Sequence, residues 1–416
     1  MLDLTAEEFA QRAFNLNLIN ERQVESIWSQ LGTRDVPPEE LRALLLRREM
    51  LTNYQVERLL KGEKTGFFYG DYKVLYLVGT GSFARVYRAV HRDDTSQVVA
   101  LKVLRKRHSE SAVETEQFLR EGRMGMELRH PNIVPIYAVD SVRRTPYLVM
   151  AFVEGQSLRA FVQIRRTVGE LEASEIMAGV MSGLNYAAEK GITHRDLKLS
   201  NVLISSEGRP QLVDFGLAID ADSTSAARTV DYAGLEKLTG VGKDDPRSDI
   251  YFAGCMFYHL LSGHPPITES RDRHERSNPQ RFKDVIRLRE HLPQVNPHVE
   301  AVVERAMALD ADRRYQKPVD MMVDLQKAIK VLNSEDADAA GTLANDVQRT
   351  VMLVESNETI QDAIRKGLKK KGHRALVISA PERAMQRLQE APDTADCVII
   401  STVALGRESV SPLTSP

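Results

Sequence analysis

His194-Arg195-Asp196-Leu197-Lys198-Leu199-Ser200-Asn201 is the stretch on which the reading of this chain turns. It is a polar loop after a helical segment. Two short apolar runs follow it, Val202–Ile204 and Gln211–Val213, and the second leads into Asp214-Phe215-Gly216. Far upstream, Val78-Gly79-Thr80-Gly81-Ser82-Phe83-Ala84-Arg85-Val86 makes a Gly-rich turn between two strands, and Val99-Ala100-Leu101-Lys102 puts a lysine on a third. Each of these shorter motifs is weak alone. Gly-rich turns also close plain hairpins, a strand lysine is usually solvated, and Asp-Phe-Gly is three common residues. The eight-residue loop is far more specific, and all four stand in one order at workable spacings.

The pattern around them is strands first and helices later. Tyr72–Val78, Arg85–Val90 and Val98–Leu104 are short and rich in β-branched or aromatic residues. They are separated by Gly79–Gly81 and Arg92–Ser96, which predicts three antiparallel strands. A helix is expected near Glu114–Leu128, strands around Ile133–Asp140 and Tyr147–Phe152, and mainly helix after Ser157. That order is α+β, a β-rich lobe joined to a helical lobe.

Together the four motifs resemble the eukaryotic-type serine/threonine protein kinases, bacterial (Hanks-type) members included. The resemblance covers residues 71–332 and implies a bilobal protein-kinase fold using ATP and Mg²⁺ on protein substrates. His130-Pro131-Asn132-Ile133-Val134, Ser248-Asp249-Ile250-Tyr251, and Asp310 with Arg314-Tyr315 extend it. It implies that Lys102 neutralises nucleotide phosphates and pairs with Glu121 of the next helix. Asp214 and Asn201 would hold the metal, a hard cation that takes oxygen ligands. Asp196 would orient the substrate hydroxyl and take its proton, and Lys198 would touch the γ-phosphate, as in kinases acting on Ser and Thr. The nucleotide would lie on Val78, Gly79, Thr80, Gly81, Ser82, Phe83, Ala84, Arg85, Val86, Ala100 and Lys102, on a hinge of Met150, Ala151, Phe152 and Val153, and on Leu203. Glu236 would pair with Arg314.

Several residues depart from the family pattern. Ala84 stands for a third glycine, Ala151 for a hinge acid, Leu199 for a proline, and Gly234-Leu235-Glu236 for Ala-Pro-Glu. The last change makes a pseudokinase, binding nucleotide without transfer, the alternative reading. Two glycines, Gly122 and Gly125, follow Glu121 in its helix, and each costs about 1 kcal/mol relative to alanine. Gly125 stands where the family usually has a large apolar residue, so Phe215 is expected to face a gap unless Met124 or Met126 shifts to fill it, and Glu121 to be poorly held against Lys102 in the isolated kinase domain. In residues 219–229, Ser223, Thr224 and Ser225 are expected phosphorylation sites with Arg195 as receptor of the charge, and Thr229 ranks after them because its alternative role is direct contact with Asp196 and Lys198.

The flanks read differently. Residues 1–65 form an all-helical domain with an internal repeat of 32 residues, Glu7-Glu8-Phe9 matching Glu39-Glu40-Leu41 and Gln23-Val24-Glu25 matching Gln55-Val56-Glu57. Thr5, and either Thr52 or Asn53, are expected N-caps. This domain carries no catalytic constellation, so its expected work is docking or bracing the Glu121 helix. Residues 333–349 read as an aperiodic linker. Residues 350–416 alternate βαβαβ, which suggests a parallel sheet. Residues 351–401 resemble the first half of a response-regulator receiver. Glu355 is one acid for such a site, but Ser401 stands at the phosphoacceptor position, which implies a pseudo-receiver that binds partners.

Composition agrees with an ordinary globular chain. Its 416 residues set a prior of two to four domains, and 42% are hydrophobic and 27% charged. A net charge of -2 gives no sign of nucleic-acid binding. Cys255 and Cys397 cannot make a disulfide framework and fit a reducing cytoplasm. No apolar run approaches the ~20 residues of a membrane helix.

Overall fold

Thr5, Asn20 and Thr52 each cap a helix through a reciprocal capping box, and so fix where the opening helices begin. These are α1 (Ala6–Asn15), α2 (Glu21–Leu31), α3 (Pro38–Arg47) and α4 (Asn53–Leu60). The repeated apolar positions meet in one core, where Phe9, Ala13, Ile27, Leu41, Leu45 and Leu59 are fully buried. The computed structural model describes residues 4–215, 230–242, 245–267, 278–343, 350–355, 357–370, 373–391 and 394–400. It falls into two units, Met1–Lys330 and Val331–Pro416.

A six-stranded antiparallel sheet follows, in the order β1-β2-β3-β4-β6-β5. Its strands are β1 (Phe68–Tyr69), β2 (Tyr72–Thr80), β3 (Ala84–His91), β4 (Val98–Leu104), β5 (Ile136–Val142) and β6 (Thr145–Ala151). Alternation along β4 separates its faces. Val99, Leu101 and Val103 join Val74, Tyr87, Tyr147 and Val149 on one side. Ala100, Lys102 and Leu104 point to the other, where α5 (Lys106–Ser109) and α6 (Ala112–Gly125) lie.

The opening helices cover the first of these faces. Tyr54 of α4 and Tyr69 of β1 pack on Tyr87, with ring centroids 6.1 and 6.0 Å apart. Gln55 is fully buried and donates to the Val74 carbonyl at 2.6 Å, and Thr52 Oγ1 donates to the Leu75 carbonyl at 2.5 Å. From the sheet side, Lys73 Nζ donates to the Leu18 carbonyl at 2.7 Å, with burial pushing its pKa down. The helical segment therefore lies against the sheet face opposite α6. This corrects the expectation that it braces the Glu121 helix.

The helical half is built on α8 (Glu170–Glu189) and α10 (Pro246–Ser262), which pack together. Ile250, Tyr251, Ala253, Phe257 and Leu260 of α10 are fully buried. A short sheet, β7 (Gly155–Ser157), β8 (Val202–Ser205) and β9 (Pro210–Leu212), carries the polar loop between α8 and β8. Helices α7 (Leu158–Arg165) and α9 (Val230–Thr239) flank it, and Leu288–His291, Pro297–Ala306 and Pro318–Leu343 complete the series. The last one runs through much of the expected linker. Alanine-rich sequence propagates a helix once a preceding turn has nucleated it.

In the second unit, β10 (Thr350–Val354), β11 (Arg374–Ile378) and β12 (Cys397–Ile400) form a parallel sheet in the order β11-β10-β12. Helices Glu358–Lys370 and Pro381–Glu390 connect the strands. The βαβαβ alternation is as the sequence indicated. Glu355 is fully buried at the end of β10 and accepts from the Asn357 amide at 2.8 Å. Ser401 lies outside the described residues, as do Gly216, Ser223, Thr224, Ser225 and Thr229.

The helix–sheet junction can be tested. Gln55→Ala leaves the Val74 carbonyl without its donor, a loss of about 1–3 kcal/mol for a buried group. Trp28 is the only tryptophan and packs against the helical core. Its fluorescence in urea should show an earlier transition for Gln55→Ala. Ala substitution of the exposed Glu57 should shift it little.

Candidate active site

Lys102 is 3% exposed, and an ammonium in such a place is costly unless it is paired. Strand alternation turns it toward α6. There its Nζ lies 3.0 Å from Glu121 Oε1 and 2.7 Å from Asp214 Oδ1. Phe118 closes the α6 side, its ring centroid 5.8 Å from Nζ. Three residues far apart in sequence thus meet in one buried ion cluster.

The two glycines explain how Glu121 reaches it. A Cβ on Gly122 would collide with Leu148 Cδ2 and would lie 2.7 Å from Val139 Cγ2. A Cβ on Gly125 would lie 2.5 Å from Ile136 Cδ1. Both glycines therefore let α6 sit close on β5 and β6. Ile136 Cδ1 stands where a Gly125 side chain would begin, yet a small cavity of about 20 Å³ remains with Gly125 and Phe215 both in its lining, so part of the expected gap is present. Glu121 reaches Lys102 in the full chain all the same. Phe215 is 7% exposed and packs on His194, with centroids 4.7 Å apart.

The polar loop hangs from one carboxylate. Asp249 of α10 is 3% exposed and accepts from the backbone amides of His194 at 2.7 Å and Arg195 at 3.0 Å. It also accepts from the Tyr232 hydroxyl at 2.8 Å, while Leu197 N donates to that hydroxyl at 3.0 Å. Burial, then the Asp249 charge, raises the Tyr232 pKa well above its ordinary value, so the hydroxyl stays a donor. Arg195 and Asp214 both hold positive φ, 60° and 58°. Non-glycine residues adopt that backbone only where surroundings enforce it, at a cost of about 1–3 kcal/mol. The loop presents Asp196, whose Oδ2 accepts from Lys198 Nζ at 2.7 Å and Asn201 Nδ2 at 3.0 Å. Asn201 Nδ2 also donates to the Asp196 carbonyl at 2.8 Å.

Sequence reasoning quoted Asp249 without giving it a role. A lone acid among Ile250, Tyr251, Phe252 and Ala253 was the available signal. Tyr232 was missed and carried none.

The expected nucleotide-side residues divide into two groups. Ala100 and Met150 are buried together with Val134, and Val86, Ala151, Phe152, Val153, Leu203 and Val213 pack around them. This apolar patch suits a flat heteroaromatic ring. At the β2–β3 turn, Val78 is 51% exposed and nothing lies within 4 Å of a Cβ on Gly79. Thr80 pairs with Arg85 across the turn, Gly81 N donates to Ala84 O at 2.9 Å, and Arg107 Nη2 donates to Ser82 O at 2.6 Å. Phe83 packs on His108 at 4.4 Å, toward α5. Asp214 and Asn201 offer carboxylate and amide oxygens, the hard donors that Mg²⁺ takes one or two at a time while keeping waters. The residues present therefore fit a nucleotide with its divalent cation.

Glu236 and Arg314 do not form the expected pair. Arg314 is 1% exposed and donates to the carbonyls of Ala308 at 3.0 Å and Arg247 at 2.6 Å. Its guanidinium lies 5.0 Å over the Tyr251 ring. Gly234-Leu235-Glu236 falls inside α9, where Leu235 is fully buried. Arg314 therefore ties the start of α10 to the loop that follows Pro297–Ala306 rather than pairing with Glu236.

A two-lobed fold with a buried lysine–carboxylate cluster at the cleft and a carboxylate-hung loop defines a protein kinase. The protein kinase domain family matches residues 72–327, more than half of the chain, and the chain belongs to that family. Serine/threonine-protein kinase PknB of Mycolicibacterium smegmatis is 32% identical over 68% of this chain and 46% of its own length. Probable PknB of Lactococcus lactis is 33% identical over 62% of this chain and 42% of its own. A probable serine/threonine-protein kinase of Streptomyces coelicolor is 31% identical over 62% and 40%. The chain thus spans less than half the length of these relatives. The PknI kinase domain of Mycobacterium tuberculosis aligns with 62% of this chain and 97% of its own, at TM-score 0.49 and 23% identity.

Alanine scanning of glycines separates close approach from tolerance. Gly122→Ala should destabilise the protein by about 1–3 kcal/mol through overpacking. Gly367→Ala, in Glu358–Lys370 with nothing within 4 Å of its Cβ, should stabilise by up to about 1 kcal/mol. Denaturant midpoints of both variants check the opposite signs.

Proposed function

We propose that this chain is an active serine/threonine protein kinase that transfers the γ-phosphoryl group of ATP to hydroxyls of protein substrates. The observation that carries the reading is the simultaneous assembly of Lys102–Glu121–Asp214 and Asp196–Lys198–Asn201. ATP supplies the phosphoryl group, and Mg²⁺ offsets the negative charge that resists its transfer. On the protein side, Lys102 is a fixed cation for phosphate oxygens, kept in place by Glu121. Asp214 and Asn201 present the oxygens that would hold the metal. Asp196 Oδ2, steered by Lys198 and Asn201, accepts the proton of the substrate hydroxyl. Lys198 is half exposed and adds positive charge beside that oxygen. Val86, Ala100, Met150 and Leu203 form the apolar seat for the base, and the turn from Val78 to Arg85 covers the phosphates.

The flanks would act by binding. The helical repeat of residues 1–65 docks on the sheet and offers its outer side to a regulatory protein, and residues 350–416 serve as a pseudo-receiver module. Phosphorylation at Ser223, Thr224, Ser225 or Thr229 would add a charge for Arg195 to receive. Among the described residues no helix is long and apolar enough to cross a membrane. Cys255 and Cys397 are not joined in a disulfide, which suits a reducing cytoplasm.

Radiolabelled ATP with a generic Ser/Thr protein substrate tests the reading. Asp196→Ala should lower transfer by about 10²–10⁴-fold while nucleotide still binds. Lys102→Met should likewise cost transfer much more than nucleotide affinity. Nucleotide binding without transfer by the wild type would instead establish a pseudokinase.

A further inference from the structure

The Gly-rich turn between β2 and β3 is held from outside by the segment that follows β4. Arg105 Nη1 donates to the Gly81 carbonyl at 3.2 Å, Arg107 Nη2 to the Ser82 carbonyl at 2.6 Å, and Arg105 N to the Phe83 carbonyl at 3.0 Å. Successive carbonyls at the tip of the turn are thus taken up by Arg105 and α5. His108 of α5 adds a brace. Its ring packs on Phe83, and its Nε2 lies 3.1 Å from Ser82 O and 3.0 Å from Arg107 Nε. Its Nδ1 lies 3.1 Å from both carboxylate oxygens of Glu114, in the first turn of α6. Phe83 also packs on the cluster of Ala84, Leu104, Phe118 and Leu148, and Phe118 is the ring beside Lys102. The turn and the helix of Glu121 are therefore joined twice, by a polar bridge through His108 and an apolar one through Phe118.

A trans peptide sets its N–H opposite its carbonyl. With the Gly81 and Ser82 carbonyls turned toward Arg105 and α5, the amides of Ser82 and Phe83 are turned away from them. The Ser82 amide has no acceptor among the described residues. We propose that Arg105, Arg107 and His108 are positioning residues for the nucleotide, which hold the carbonyls of the turn so that its amides receive phosphate oxygens, and which tie the turn to α6 through Glu114. The inference rests on the nucleotide-binding part of the reading above and deepens it. A turn already held loses less conformational freedom when the phosphates arrive, so the gain appears in affinity for the phosphate-bearing part of the ligand. The apolar seat for the base is a separate cluster around Ala100 and Met150. Affinity for ATP should therefore depend on the clamp, and affinity for adenosine should not. Plain attraction between these cations and phosphate would give part of the same result, and Glu114 separates the two accounts. Removing a carboxylate near the site tightens ATP binding if charge alone acts, and weakens it if Glu114 holds His108.

The test is calorimetric titration of the full chain with adenosine and with a non-hydrolysable ATP analogue plus Mg²⁺, for wild type, His108→Ala, Glu114→Ala and Glu114→Gln. Both alanine variants should bind the analogue about fivefold more weakly and adenosine within about twofold of wild type, the partial exposure of these groups limiting the loss. Glu114→Gln keeps an acceptor for Nδ1 and should recover most of the affinity, although it lacks the charge. In steady-state transfer the alanine variants should raise KM for ATP more than they lower kcat. Unchanged or tighter analogue binding in either alanine variant, an equal loss for adenosine, or no recovery in Glu114→Gln overturns the proposal. A wild type that binds the analogue but transfers no phosphate overturns the kinase reading instead, and the same titrations still decide the clamp. A wild type that binds no nucleotide defeats both.

Discussion

The ammonium of Lys102, buried between Glu121 and Asp214, is the constraint around which the rest of the kinase half is arranged. Such a cluster is a poor source of stability, because desolvation consumes most of the Coulomb gain. Breaking it by removing one partner is another matter, and commonly costs about 3–5 kcal/mol by stranding a charge. The cluster therefore holds three elements in register rather than making the fold stable. Strand β4 supplies the lysine, α6 the glutamate, and the chain after β9 the aspartate in a strained backbone conformation. Gly122 and Gly125 bring α6 close enough to take part.

A second carboxylate plays the matching part in the helical half. Asp249 is buried in α10 and satisfies two consecutive amides of the polar loop, which would otherwise be unpaired where Arg195 takes positive φ. Tyr232 links α9 to the same carboxylate. A change in the segment leading into α9 would thus reach Asp196 through one hydrogen-bonded group. The opening helices stand apart from both clusters. They seal the far face of the sheet with Tyr54 and Gln55, and any influence they have on Glu121 must pass through the strands.

The chemistry was more legible than the packing. Lys102, Asp196, Asn201 and Asp214 could be singled out because each stands in a short motif, and the loop from His194 to Asn201 keeps Asp196 and Asn201 close in sequence. Antiparallel strands, the helical repeat and the parallel βαβαβ tail could be read from periodicity. What failed was three-dimensional complementarity. Gly125 reads as a hole because a side chain is missing, and nothing local reveals that Ile136 reaches into that space and leaves only a small cavity beside Phe215. Glu236 and Arg314 looked like partners from the family pattern, yet Arg314 is taken up by main-chain carbonyls within a helical arrangement that residues 230–239 do not announce. Residues 333–343 looked like a linker because they are acidic and small, though alanine suffices to carry a helix onward.

A double-mutant cycle on Lys102 and Glu121 tests the central claim most directly. Phosphoryl transfer is measured for wild type, Lys102→Met, Glu121→Gln and the pair. If Glu121 works by holding Lys102, the double variant should be no slower than Lys102→Met alone, with a coupling of about 0.5–3 kcal/mol. Losses that simply multiply would contradict the account, because the two side chains would then act independently.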